Sequence, residues 1–113
     1  MTTTIKAAMP VTRDIRQKRG ADFHWTIRLK ENDGVTVQNT TGYSSTLTIK
    51  AGQNGETYAT INATNSPASG QFNYDITALT IEGFDFGSAE YELLIVDNNG
   101  GKTIPFIGQF VLF

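Results

Sequence analysis

From Ala21 to Lys30 the chain alternates between apolar and polar residues, with Phe23, Trp25, Ile27 and Leu29 on one parity and Asp22, His24, Thr26, Arg28 and Lys30 on the other. Successive side chains leave a β-strand on opposite sides, so this period marks a strand with one buried and one wet face. No stretch of helix length places apolar residues at the three-to-four spacing of an amphipathic helix. The core must therefore be built from sheets, and a content of 16 threonines suits that choice.

The rest of the chain repeats the pattern. Asn32-Asp33-Gly34 supplies the positive φ of a tight hairpin. Ser45–Ala51 alternates with Leu47, Ile49 and Ala51 inward, and Gly52–Gly55 turns the chain into Glu56–Ala63, whose faces are ambiguous. Asn65–Gly70 is turn chemistry leading to Gln71–Ile76, with Phe72, Tyr74 and Ile76 on one side. Thr77–Gly87 lacks alternation and reads as a crossover with room for one helical turn. Glu90–Asp97 contains the run Leu93-Leu94-Ile95-Val96 and takes a central position, Asp97–Gly101 is a hairpin turn, and Thr103–Phe113 carries Pro105 and Gly108, which predict an edge, a bulge or both. The fold class is all-β: a single immunoglobulin-like antiparallel β-sandwich of about seven strands over residues 12–113, preceded by an extended arm over residues 1–11. A small closed barrel is the competing topology.

A chain of 113 residues forms one domain without needing a metal or disulfide to fold. With no cysteine and one histidine, His24, it has no disulfide framework, zinc finger, iron–sulfur ligation or His-pair metal site. No segment has the roughly 18 consecutive apolar residues of a membrane helix, and residues 1–10 lack the apolar run of a secretory signal.

The net charge of −2 conceals a split: residues 1–30 carry seven Lys/Arg against Asp14 and Asp22, and the remainder carries two Lys/Arg against nine Asp/Glu. Matched potentials of this kind suit docking between copies, or onto an acidic neighbour. A nucleic-acid partner is not expected, because the pI is about 5.2.

Catalytic signals are thin. Gly101-Lys102-Thr103 ends like a phosphate-binding loop, but Val96 stands where that loop requires glycine. Asp33 and Asp97 sit in Asx-rich turns that lack calcium-loop spacing. His24 beside Asp22 could orient a base but has no nucleophile elbow, and Glu82, Asp85, Glu90 and Glu92 are the carboxylates of an acidic sheet. No enzyme activity and no cofactor are expected. Phe84-Asp85-Phe86 places two aromatics in a loop, either to anchor a partner or to cap the core, and Tyr43 and Tyr58 are likewise unassigned.

The run Arg16–Gly34, the Thr41–Lys50 strand, Ser69-Gly70, Tyr91–Gly100 and Gly108–Leu112 together resemble small β-sandwich virion proteins of tailed bacteriophages, across about residues 12 to 113. A departure is Asn39-Thr40-Thr41, where a leucine commonly precedes Thr-Gly. The resemblance implies a non-enzymatic structural protein of tail, baseplate or fibre-adaptor type. It would reside in the virion, and in the host cytoplasm during assembly. Its partners would be other virion proteins and copies of itself in a symmetric oligomer. A capsid cement or decoration protein, or a carbohydrate-binding module of a receptor-binding apparatus, is the alternative. The expected interface comprises Lys6, Arg13, Arg16, Lys18, Arg19, Phe84 and Phe86.

Overall fold

The computed structural model describes residues 2–5, 11–30, 36–51 and 55–113, and of 2–5 and 11 only the backbone. Among these residues, ten strand segments form two sheets: β1 (Thr2–Ile5), β2 (Val11–Thr12), β3 (Ile15–Gln17), β4 (Phe23–Leu29), β5 (Ser44–Lys50), β6 (Thr57–Asn62), β7 (Thr64–Ser66), β8 (Gln71–Ile76), β9 (Ser88–Val96) and β10 (Lys102–Leu112). The smaller sheet has the order β1-β4-β8-β7, and the larger has β2-β10-β9-β5-β6 with β3 also on β10. In immunoglobulin variable-domain lettering, β1-β4-β8-β7 and β10-β9-β5-β6 correspond to A-B-E-D and G-F-C-C′.

The sandwich departs from the expected one in three places. Its sheets are mixed, because β1 runs parallel to β4, and β2 and β3 run parallel to β10. Thr2–Ile5 is therefore a paired edge strand and not a free arm, while residues 6–10 lie outside those described. Among the described residues β10 pairs with β9 alone over Lys102–Pro105 and is covered on its other side by β2 and β3 from Phe106 onward, so the expected edge is present only in its first part, together with the predicted irregularity, a register shift between Thr103 and Phe106 around Pro105. Finally, β4 and β5 do not form a hairpin. Among the described residues the antiparallel bridge Lys30–Val37 flanks that connection before the chain crosses to the other sheet, and Asn32-Asp33-Gly34 lies outside them.

The alternation in the sequence becomes the core. Phe23, Trp25, Ile27 and Leu29 of β4 and Phe72, Tyr74 and Ile76 of β8 face Leu47, Ile49, Tyr91, Leu93, Ile95, Phe106 and Phe110 of the larger sheet, all buried. Ala51, expected inward, is exposed because β5 ends at Lys50. β9 takes the central place expected of it, between β10 and β5. The crossover contains one short helix, α1 (Ala78–Glu82), capped by the Thr77 hydroxyl, which accepts from the Thr80 N–H at 3.3 Å. Asp22 serves the same end: its Oδ1 accepts from the Ala78 N–H at 2.7 Å.

Two buried phenols are hydrogen-bonded, one across the layers and one within the larger sheet. Tyr74 of the small sheet hydrogen-bonds the Ser45 hydroxyl of the large one, and Ser45 Oγ donates to the Leu94 carbonyl at 2.7 Å. Tyr91 donates to the Arg13 carbonyl. Burial pushes both phenols above the ordinary tyrosine range; the Ser45 bond opposes this at Tyr74, and the Arg13 charge opposes it at Tyr91. Above pH about 10 the unfolded chain loses phenolic protons that the folded chain keeps. Stability should thus be intact below that pH and fall as pH rises beyond it. Urea unfolding at stepped alkaline pH should show the fall in the native protein and a shallower one in Tyr91→Phe; equal slopes would refute the assignment.

Candidate functional site

The basic residues sit on the edge segment β2–β3 and the turn that follows. Between Thr12 and Ile15 the chain steps over Gly108 of β10. There the Arg13 N–H donates to the Ile107 carbonyl at 2.8 Å, and the Gln109 N–H donates to Asp14 Oδ1 at 3.0 Å. Asp14 thus replaces the main-chain acceptor that β10 would otherwise lack at the break in the ladder. Past the break Arg16 is exposed, with its guanidinium 5.1 Å from the centre of the Phe113 ring, which is itself 57% exposed. Lys18 is exposed beyond it.

Arg19 has a different role from its neighbours. Its guanidinium donates to the carbonyls of Phe84 (2.9 Å) and Phe86 (2.6 Å), and its own N–H donates to the Phe113 carbonyl at 2.9 Å. A planar fork on two carbonyls fixes the loop after α1. Phe86 is buried and Phe84 half-buried. Their rings lie 5.2 Å apart, and Phe86 lies 4.6 Å from Tyr58. The loop therefore closes one end of the core, and Phe86 does not stand out toward a partner. The sequence-derived set thus divides. Arg13, Arg16 and Lys18 are exposed on one edge, Arg19 and Phe86 hold the end of the sandwich, Phe84 lines it, and Lys6 lies outside the described residues. Of the large exposed apolar side chains among those residues, Phe113 and Ile107 adjoin this basic edge, and Leu79 (81%) and Val37 are the others. Alternation could not single them out, because it reports parity and not what covers a face.

The wet face of the small sheet is a polar ladder. His24 Nδ1 lies 2.5 Å from Asp75 Oδ1, its Nε2 lies 3.0 Å from Thr26 Oγ1, and the Thr26 hydroxyl donates to Asn73 Oδ1 at 2.7 Å. His24 thus takes its carboxylate across the strand pair, from Asp75 and not from Asp22. The Asp–His–Thr succession has the connectivity of a hydrolytic triad. Thr26, however, is only 8% exposed. Its hydroxyl proton is committed to Asn73, and the cross-strand pairs His24–Asp75 and Thr26–Asn73 are what an antiparallel ladder places opposite each other.

On the outer face of the large sheet, a groove of about 360 Å³ is lined by Asp14, Lys50, Glu90, Glu92 and Ile107 among others. Lys50 Nζ lies 3.9 Å from Glu92 Oε2, and the groove is lined by this cation and the carboxylates of Asp14, Glu90 and Glu92. The Asp97 turn uses its carboxylate locally: Oδ1 accepts from the N–H groups of Asn99 (2.9 Å) and Gly101 (2.8 Å). Among the described residues no three His, Asp or Glu side chains group as metal ligands.

No family model matches the chain, and no curated protein matches its sequence. Among solved structures it is similar to the N-terminal domain of phage TP901-1 ORF48, with a TM-score of 0.57, 13% identity and coverage of 99% of this chain and 98% of that one. At that identity the likeness is one of fold.

Proposed function

We propose that the protein is a non-enzymatic structural component of a bacteriophage virion, of tail, baseplate or fibre-adaptor type, which works by binding other virion proteins and copies of itself. The observation that carries this reading is the likeness in fold to a phage protein domain, which extends over 99% of this chain and 98% of that one. The hydrogen bonding agrees with it. His24, Thr26, Asp75 and Asp97, the side chains closest to a catalytic or metal-binding arrangement, are used by the ladder and the turn.

The exposed basic edge is the surface offered to an acidic neighbour. In phage purified from a producing host, mass spectrometry should find the chain in the particle, and Arg16→Glu with Lys18→Glu should lower its occupancy, most at low salt, where screening is weakest. The melting temperature should hardly move, because both side chains are exposed. Arg19→Ala is the contrasting variant, expected to lower the melting temperature through the loop it clamps. Particles that lack the wild-type chain would overturn the reading. Full occupancy of the charge-reversed chain would move the interface elsewhere.

A further inference from the structure

Among the described residues, four strands or strand pairs stand at the ends of the two sheets, and three of them are blunted. β1 has four residues, and β7 has three and runs into Pro67. The β2–β3 edge is broken at Arg13-Asp14 and carries Arg16. Short length, breaks and charges are the devices that keep a sheet from pairing with another chain. β6, Thr-Tyr-Ala-Thr-Ile-Asn, has neither charge nor proline over six residues. Its one irregularity is the register shift between Ile49 and Lys50, which leaves Tyr58 unopposed and the segment from Ala59 onward regular.

The hydrogen-bond phase of this edge can be read from its far end. The Ala63 N–H donates to the Ser45 carbonyl at 3.0 Å, and the register Leu47–Ile61, Ile49–Ala59 continues the same pairing. Main-chain groups of an antiparallel strand point alternately to either side. Residues 59, 61 and 63 thus spend theirs on β5, while those of Thr60 and Asn62 point outward. Thr60 is exposed, and the core-side residues Ala59 and Ile61 are only half covered.

We propose that β6 is a self-association edge, on which a second copy of this chain adds its own β6 antiparallel about a two-fold axis through Thr60. The geometry is self-complementary. A two-fold perpendicular to the sheet sets Thr60 against Thr60, where both N–H and C=O groups point outward as a hydrogen-bonded pair requires, and sets Ala59 against Ile61, which closes the half-covered apolar pair. A second copy is the fitting occupant because an uncharged strand meets an uncharged strand, whereas two copies of the Arg16 edge would repel. The inference deepens the proposed function by naming one partner and the strand that receives it.

The chain has no cysteine, so single-cysteine variants are clean probes. Sedimentation of the full chain should show concentration-dependent association. Thr60→Pro, which deletes an outward donor that β5 does not use, should weaken it by about tenfold or more. Thr60→Lys should do the same through charge, and it serves if the proline variant does not fold; unchanged melting temperatures certify both. Pyrene on Thr60→Cys should give excimer emission, whereas pyrene on Ser69→Cys, in the exposed turn beside the other sheet, should not. A chain that stays monomeric at every concentration, association that survives both substitutions, or an excimer at Ser69 alone would overturn the proposal. A chain that fails here yet enters the virion removes this inference and leaves the proposed function standing.

Discussion

Trp25→Ala should cost on the order of 3–5 kcal/mol, the range for deleting a large aromatic from a closed core. Trp25 is fully buried, and its ring lies 6.1 Å from Tyr74 of the small sheet and 6.1 and 5.5 Å from Tyr91 and Phe106 of the large one. It fills the space between the layers, so the cavity left by alanine has walls on both sheets and cannot close by the shift of one side chain. Against a total stability of about 5–15 kcal/mol for a domain of this size, that loss is a large share. Arg28, three residues along on the wet face and half-buried, should tolerate alanine with a change of about 0.5 kcal/mol or less. Urea denaturation of the two variants side by side checks the face assignment of β4. Equal losses would mean that the pairing of Trp25 with Tyr74 and of Arg28 with Gln71 is out of register.

The same contrast shows what the sequence could reveal. Long half-buried strands were legible because burial writes a period of two, and β4, β5, β8 and β9 lie within a residue or two of the alternating segments. β1, β2, β3 and β7 have two to four residues each and are held by main-chain pairing, which leaves no alternation to read. Because no pattern marks them, residues 1–11 read as an arm, and the strands that cover β10 from Phe106 onward go unseen. Pro105 did mark an irregularity, but proline reports only that its own nitrogen has no partner and not whether another strand lies further along. The candidate interface was legible to the same degree. Charge clustering found the basic edge, yet Arg19 carries the same charge as Arg16 and spends it on two carbonyls contributed by residues 84 and 86. Contacts so remote in sequence are fixed by the packing of the sandwich, and no local spacing encodes them.

Gly108→Ala should detach that basic edge from the sheet. A Cβ at residue 108 would lie 2.3 Å from the Arg13 carbonyl oxygen and 2.8 Å from its carbon, both backbone atoms that cannot rotate away. Relief requires β2–β3 to lift from β10 at the step over Gly108. Doing so breaks the Arg13 N–H bond to Ile107, the Tyr91 bond to the Arg13 carbonyl and the Gln109 N–H bond to Asp14. Strain of this type and the lost bonds together should cost about 3 kcal/mol. Once uncovered, the Tyr91 phenol loses the burial that holds its proton, so its ionisation should return toward the ordinary value near 10. Tyrosinate absorbance during an alkaline titration reads that shift, and Tyr91→Phe on the Gly108→Ala background identifies the residue responsible. Gly87→Ala is the matched control, because a Cβ there meets no atom within 4 Å. With the edge detached, Arg16 and Lys18 no longer sit at fixed places beside Phe113, and the variant should enter particles as poorly as the charge-reversed chain although its charges are intact. Normal stability and an unshifted Tyr91 titration in Gly108→Ala would show that β2–β3 does not cross β10 at this glycine.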